Sequence, residues 1–511
     1  MGDLTALHLP LVAQLAFPDY LVLILYMVAT VILGSWMGRG QSSLGGYLLA
    51  ERKTHWFLAC ISIIATDTSA ISVMGVPGWI YDKDLKYSMG SFLMPPVMLI
   101  VVLVFVPIFF RTKVFTVYEY LETRFNPLAR TVTAVLFLFL RGVHLAAAVY
   151  IPSVAFATFV GIPEFYCILL VGTLTTLYTL LGGMKAVIWT DFLQFFVIYG
   201  SIVVMIGLLL ASFGWDLGGV WTAGSRLISP VSHTPPTTLV DWKLDLTSEA
   251  TFWSILAFYL IYNVGTYGTD QVIVQRYFTM GSFREIAKSV LVAGFLSTLC
   301  VIFLALLGLL LTVYYAERPE LAATLRKSDE ILPSYVMQGL PTGMRGLIFA
   351  ALLAATMSAL SAGLNSFSTV GIMDLYRRYG RGKDASESYC LWLAKVFTLV
   401  SGAVLTLVAI WVSTLHKPIL EIANQLASMF IGPITGIFFL GVLTRRGNIA
   451  GVLIGALCGL LVSFVVSYYP PLARNVNWMW TGPMSCLATF VMGYLGSVAI
   501  PGERREIRSF G

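Results

Sequence analysis

The chain alternates short polar connections with apolar runs of roughly 20 residues, the length a helix needs to cross about 30 Å of hydrocarbon. Such runs begin near positions 19, 56, 88, 130, 164, 186, 249, 284, 344, 388, 418, 446 and 477, which predicts thirteen membrane spans. Within each run the apolar residues are contiguous, and the period-two alternation of a membrane β-barrel is absent. The expected fold class is therefore an all-α polytopic membrane protein. Connections are short except for residues 214–248 and 316–343.

Two runs are interrupted. The second, WFLACISIIATDTSAISVMGVPGWIY (56–81), contains Gly75, Pro77 and Gly78; the seventh, TFWSILAFYLIYNVGTYGTDQVIVQR (251–276), contains Gly265 and Gly268. Glycine costs a helix about 1 kcal/mol relative to alanine and proline about 3, so both are expected to break mid-span. Gly and Pro also serve as packing and kink residues in membrane helices. The five-span separation of the two runs favours another reading. Matched interrupted helices in two halves point to an inverted-repeat transporter with its site at the midplane.

Composition sharpens this picture. A chain that is 58% hydrophobic and 11% charged, with a mean hydropathy of +0.84, is not a soluble globular protein. The first eighteen residues contain no Lys or Arg, so the basic start of a cleavable signal is missing and the first span is expected to be retained. Counting Lys and Arg in alternate connections gives twenty on one side, Arg276 among them, and ten on the other. Basic loops stay cytoplasmic, so the N-terminus is expected outside and the C-terminus inside a multi-pass cell membrane protein. The net charge of +6 is scattered over loops and not gathered into one face, which argues against a nucleic-acid partner. The six cysteines all lie in apolar runs and read as small core residues. No phosphate-binding loop, nucleophile elbow or H-E-x-x-H motif occurs, so no enzyme chemistry is indicated.

The charged residues inside spans carry the chemistry. A carboxylate at the bilayer centre costs roughly 2.5–3.5 kcal/mol, so Asp67, Asp191 and Asp270 need partners. Hydroxyls and amides crowd each of them: ATDTSAIS at 65–72, TDFLQ at 190–194, TDQ at 269–271. In the ninth span Ala355, Ser358, Ser361 and Asn365 share one helical face, rich in small residues. Small stripes of this kind also serve close helix packing. Hydroxyl, carboxylate and unwound carbonyl oxygens together suit a hard monovalent cation, whereas zinc or iron would call for His and Cys clusters. The membrane histidine His144 reads as a hydrogen-bonded core residue, or else a substrate ligand. Arg141, one turn earlier, reads either as a snorkelling end residue or as an anion clamp.

The strings YEYLETRF (118–125), GGMKAVIWTDFLQ (182–194), TDQVIVQRYF (269–278) and GLIFAALLAATMSALSAGLNS (346–366) resemble the sodium:solute symporter family, relatives of the sodium/glucose cotransporters. The resemblance runs from about residue 19 to 500 and implies a LeuT-type fold. Its two inverted five-helix repeats would span roughly 56–213 and 249–441, with one extra N-terminal helix at 19–40 and two C-terminal helices at 446–500. Carried over by motif, the shared sodium site falls on the carbonyls of Ala65 and Thr68 and on Ala355 and Ser358. A second hydroxyl often follows that serine in the family; here the position is Ala359. A second sodium site would use Asp191 with Ser358 and Ser361, where Ala362 replaces another serine, and Asp67 matches a sodium-linked aspartate of the proline-transporting branch. Substrate positions of the sugar-transporting branch match Asn263 and Gln425, with Ser72, Ser91 and Ser297 at the polar core-helix positions. Ser69 and His144 complete the expected substrate set. The sialic-acid branch's arginine is Val143, and SAISVMGVPGWIY and VYIPSVAF are similar to the iodide, monocarboxylate and vitamin branch.

The resemblance implies a sodium-coupled symporter that works as a single chain and imports a small polar solute, a sugar or sugar acid foremost. It implies sodium as coupling ion and no organic cofactor. The alternatives are a monocarboxylate, vitamin or proline-like amino-acid symporter, a proton-coupled carrier, and a transporter-shaped sensor, for which a signalling module would be expected.

Overall fold

The computed structural model describes residues 15–112, 114–325, 327–379, 382, 384–413 and 419–501. Its principal helices are α1 (Phe17–Met37), α2 (Trp56–Asp67), α3 (Ala70–Asp82), α4 (Met94–Thr112), α5 (Tyr118–Arg124), α6 (Pro127–Val160), α7 (Glu164–Ser212), α8 (Phe252–Thr269), α9 (Gln271–Tyr277), α10 (Phe283–Ala316), α11 (Met344–Val370), α12 (Glu387–Ser413), α13 (Ile419–Leu443), α14 (Ile449–Tyr468) and α15 (Thr481–Ala499). Among the described residues there is no strand. Helix is what lipid permits, because each backbone N–H and C=O is satisfied within its own segment.

Among the described residues nine helical stretches are long and apolar enough to cross a bilayer, and α2 with α3, bent by 58°, makes a tenth. The runs beginning near 164 and 186 share α7, whose 49 residues include Gly183 at φ 53° and ψ −151°. At about 1.5 Å per residue α7 would extend about 74 Å, more than twice the hydrocarbon thickness, so it holds two crossings that meet at Gly183. That backbone geometry is closed to L side chains, and a Cβ there would lie 2.5 Å from the Tyr47 carbonyl oxygen.

The two interruptions occur, but not where glycine and proline predicted them. Helix α3 runs unbroken through Gly75, Pro77 and Gly78, and the break lies at Thr68 and Ser69. Likewise α8 passes through Gly265 and Gly268 and ends at Asp270. Those two glycines are packing residues: a Cβ on Gly265 would meet Thr435 Oγ1 at 2.2 Å, and one on Gly268 would meet Phe105 at 3.0 Å. The breaks fall on Asp, Thr and Ser, whose side chains compete for backbone hydrogen bonds.

Helix α11 is the centre of the molecule, with nearly every residue buried, whereas α1 buries only one stripe. Its Ala, Ser and Gly content lets α1, α2, α6 and α7 pack closely around it. Its first turn is held from far away in sequence. The buried Asp19 accepts from the amides of Gly343 at 2.7 Å and Gly346 at 2.9 Å, placing a carboxylate at the positive end of the helix.

Asp19→Ala leaves both amides without an acceptor, at about 1–3 kcal/mol each. The melting temperature of the detergent-purified protein should fall markedly, and Asp19→Asn, which keeps one acceptor oxygen, should lose less.

Candidate functional site

The site grows from the break between α2 and α3. The Thr68 amide and hydroxyl both bond to the Ile64 carbonyl, at 3.0 and 2.9 Å, and close the last turn of α2. Thr68 and Ser69 then turn to extended backbone (ψ 97° and 161°), and Ser69 caps α3 by accepting from the Ser72 amide at 3.3 Å. In a continuous helix the carbonyls of Ala65, Thr66 and Asp67 would accept from residues 69, 70 and 71. Those amides lie across the bend, so these carbonyls lose their helical donors. Helix α11 packs against both halves of the broken helix. Ala65, Ala355 and Ser358 are all fully buried, and Thr68 nearly so. Carbonyl and hydroxyl oxygens are the donor types that suit a hard monovalent cation.

Beside the break lies Asp191 of α7, fully buried. Its Oδ2 accepts from Ser62 Oγ at 2.5 Å, from Thr66 Oγ1 at 3.3 Å and from the Arg276 guanidinium at 2.9 Å; its Oδ1 accepts from Ser358 Oγ at 2.6 Å. Arg276 also donates to Ser62 Oγ at 2.7 Å and to the Val272 carbonyl. One carboxylate thus ties together α2, α7, α9 and α11. Arg276, counted above as a loop charge, belongs instead to the interior: both side chains of the pair are 0% exposed. Each charge is costly to bury alone, and the pair is tolerable because the remaining lone pairs and protons find partners. Ser361 does not reach Asp191; its hydroxyl donates to the Ser358 carbonyl at 3.1 Å.

Gln275, next to Arg276, bonds to the Leu48 carbonyl, Asn365 and Thr369 at 2.7–2.8 Å and accepts from Ser366 at 2.9 Å. It thereby pins α9 to the small-residue stripe of α11. The sequence reading missed Ser62, Arg276 and Gln275. The signal for the latter two was a Gln-Arg pair one turn past an interrupted helix.

The second break is built around Asp270. Its Oδ1 accepts from the Val272 amide at 2.8 Å, capping α9, and its Oδ2 pairs with Arg141 of α6 at 2.6 Å. Arg141 is therefore neither a snorkelling residue nor a free clamp. Asp67 is exposed and accepts from Tyr267 at 2.7 Å; among the described residues no guanidinium or ammonium group lies within ion-pair distance, although Arg141 attracts it from farther away. It stands apart from Asp191, Asp270 and Asp374, which all have arginine partners.

The expected substrate residues divide. Ser69 and Ser72 sit at the start of α3, with their hydroxyls 3.4 Å apart. Ser91 and Ser297 are brought near each other, since Thr298 donates to the Ser91 carbonyl at 2.8 Å, and both serine hydroxyls are buried, that of Ser297 beside the Tyr267 hydroxyl. Asn263 lies buried on α8, and His144 half-buried on α6 one turn from Arg141. The side chain of Gln425 lies outside the described residues.

The sodium:solute symporter family model matches residues 47–459. Among curated relatives, the sodium/sialic acid symporter SiaT of Proteus mirabilis is 27% identical over 478 residues, 93% of this chain and 94% of the relative. The sodium-dependent multivitamin transporter of Oryctolagus cuniculus is 31% identical over 455 residues, 87% of this chain and 69% of the relative. A solved structure of a Na+-coupled sialic acid symporter in a substrate-bound outward-open state superposes with a TM-score of 0.87 at 26% identity, covering 96% of this chain and 99% of that one.

Removing one member of a buried pair strands the other. Arg276→Met should cost about 3–5 kcal/mol, read as a lowered unfolding midpoint, and the double variant Asp191→Asn with Arg276→Met should recover much of the loss.

Proposed function

The chain belongs to the sodium:solute symporter family, and we propose that its sodium ion binds at the break between α2 and α3, held by the carbonyls of Ala65 and Thr68 together with Ala355 and Ser358. The protein is a sodium-coupled solute symporter of the membrane and not an enzyme. The single observation that supports this ion site is the set of carbonyls released at a break against which the central helix, with its buried Ser358, packs.

Asp67 is the residue whose charge sodium answers. Its carboxylate is exposed at the break, accepts from Tyr267 and is attracted by the more distant Arg141, and a cation on the Ala65 carbonyl, two residues away, supplies a further counter-charge. Asp191, by contrast, is already neutralised by Arg276. This favours one sodium per cycle, with Asp191, Ser361 and Ser62 acting as the scaffold that sets Ser358 in place.

The transported solute is small, polar and organic, a sugar or sugar acid foremost, as the sialic acid relatives support. It contacts Ser69, Ser72 and Asn263, with Ser91, Ser297 and His144 at the margin of the same region. Two inverted repeats, residues 56–213 and 249–441, rock against each other in a chain whose N-terminus lies outside and whose C-terminus lies in the cytoplasm. One chain suffices for the cycle. Sodium and solute each raise the other's affinity, a reciprocal coupling of typically about 1–3 kcal/mol.

Ser358→Ala should raise the sodium concentration for half-maximal uptake in proteoliposomes at least tenfold; an unchanged sodium dependence would refute the site. With one sodium per cycle, uptake of a neutral sugar carries one charge, worth about 2.3 kcal/mol per 100 mV, whereas uptake of a monoanionic sugar acid is electroneutral. Imposed potassium diffusion potentials distinguish the two, and uptake driven by a pH gradient without sodium would replace sodium with a proton on Asp67.

A further inference from the structure

The outer end of α3 carries a polar site that the transport reading leaves unused. A cavity of about 280 Å3 lies there, lined among others by Trp79, Lys83, Asp84, Lys86, Ser232 and Glu249. Its volume sits just under the roughly 300–1,000 Å3 common for small-ligand sites.

Two ion pairs form its walls, and they differ in kind. Lys86 and Asp84 pair at 3.1 Å with side chains only 8% and 1% exposed, and Asp84 is fixed further by Thr234 Oγ1 at 2.9 Å and the Lys86 amide at 3.0 Å. That pair is a rigid wall. Lys83 and Glu249 pair in the open, at 20% and 39% exposure, where such contacts contribute about 0–1 kcal/mol. Their anchoring is unequal. Lys83 Nζ also lies 3.7 Å from the centroid of the Trp79 ring, a cation–π contact, whereas Lys83 is the single partner recorded for Glu249. An incoming anion has to displace one weak contact, while an incoming cation has to displace Lys83 from both a carboxylate and an aromatic face. The indole N–H of Trp79, buried and without a partner, is a further unused donor in this wall.

The cavity shares a helix with candidate solute residues. Ser72 and Trp79 recur at helical spacing on α3, and Lys83 caps its C-terminus, so the helix runs from a candidate solute position to the cavity over about 16 Å. Tyr87 and Tyr259 extend the wall from Trp79, with ring centroids 5.1 and 5.7 Å apart, onto α8 one turn before Asn263.

We propose that this cavity is a vestibular recruiting site for small organic monoanions, in which the ligand carboxylate takes the place of Glu249 on Lys83 and the ligand body packs against Trp79. The proposal rests on the transport reading only for the onward route; binding at the vestibule is independent of sodium.

The test is equilibrium binding to the purified full chain in potassium buffer free of sodium, with N-acetylneuraminate and lactate as probes against their neutral counterparts, the methyl ester and lactamide. At least one anion should bind, at least tenfold more weakly to Lys83→Ala and several-fold more tightly to Glu249→Gln, with the neutral counterparts insensitive to both changes. Sodium-induced thermal stabilisation should persist in Lys83→Ala, which shows that the variant is folded. Ser358→Ala should lose that stabilisation yet keep the sodium-free anion binding, so the two readings fail separately. Absence of sodium-free anion binding, equal affinity across wild type, Lys83→Ala and Glu249→Gln, or loss of binding in Ser358→Ala would each overturn the vestibular site.

Discussion

The buried pair of Asp191 and Arg276 is the constraint on which the centre of the molecule depends. Neither side chain touches solvent, and the hydrogen bonds around them reach α2, α7, α9 and α11. A carboxylate in this setting cannot be left without a counter-charge, so the position of α9 follows from that of α7, and α2 and α11 are drawn in through Ser62, Thr66 and Ser358. The break in the second span is held open by its neighbours as well as by its own sequence.

The interior carboxylates differ in their partners. Asp191, Asp270 and Asp374 each have a guanidinium, and Arg130 on Asp374 also engages Glu122 at 2.8 Å, joining α6 to the end of α11. Asp67 has a phenol. Asp67 is exposed at the helix break and feels Arg141 only beyond ion-pair distance, so solvent reaches it where it does not reach Asp191.

Much of this was legible in the chain. The apolar runs gave the helices, because run length and contiguity are set by the bilayer itself, and the motifs at 182–194 and 346–366 located Asp191 and Ser358. The break positions were misread because Gly and Pro are judged by soluble-helix costs, while at Gly265 and Gly268 the missing side chain serves helix contact. Arg276 was misread because a charge counted by its distance from an apolar run looks like a loop charge. Only a tertiary arrangement brings it to a residue 85 positions away. The substrate residues were the least legible, since Ser91 and Ser297 acquire meaning only from the neighbours that pack beside them.

Asp19 has a consequence for biosynthesis. The amides it serves belong to Gly343 and Gly346, more than 300 residues later in the chain. A ribosome delivers the carboxylate first and its partners last, so the first helix must wait at the interface through most of translation. The clasp can close only when the central helix arrives, which makes it a late checkpoint on assembly: a chain stalled or truncated before residue 343 keeps an unmet acceptor at its leading edge.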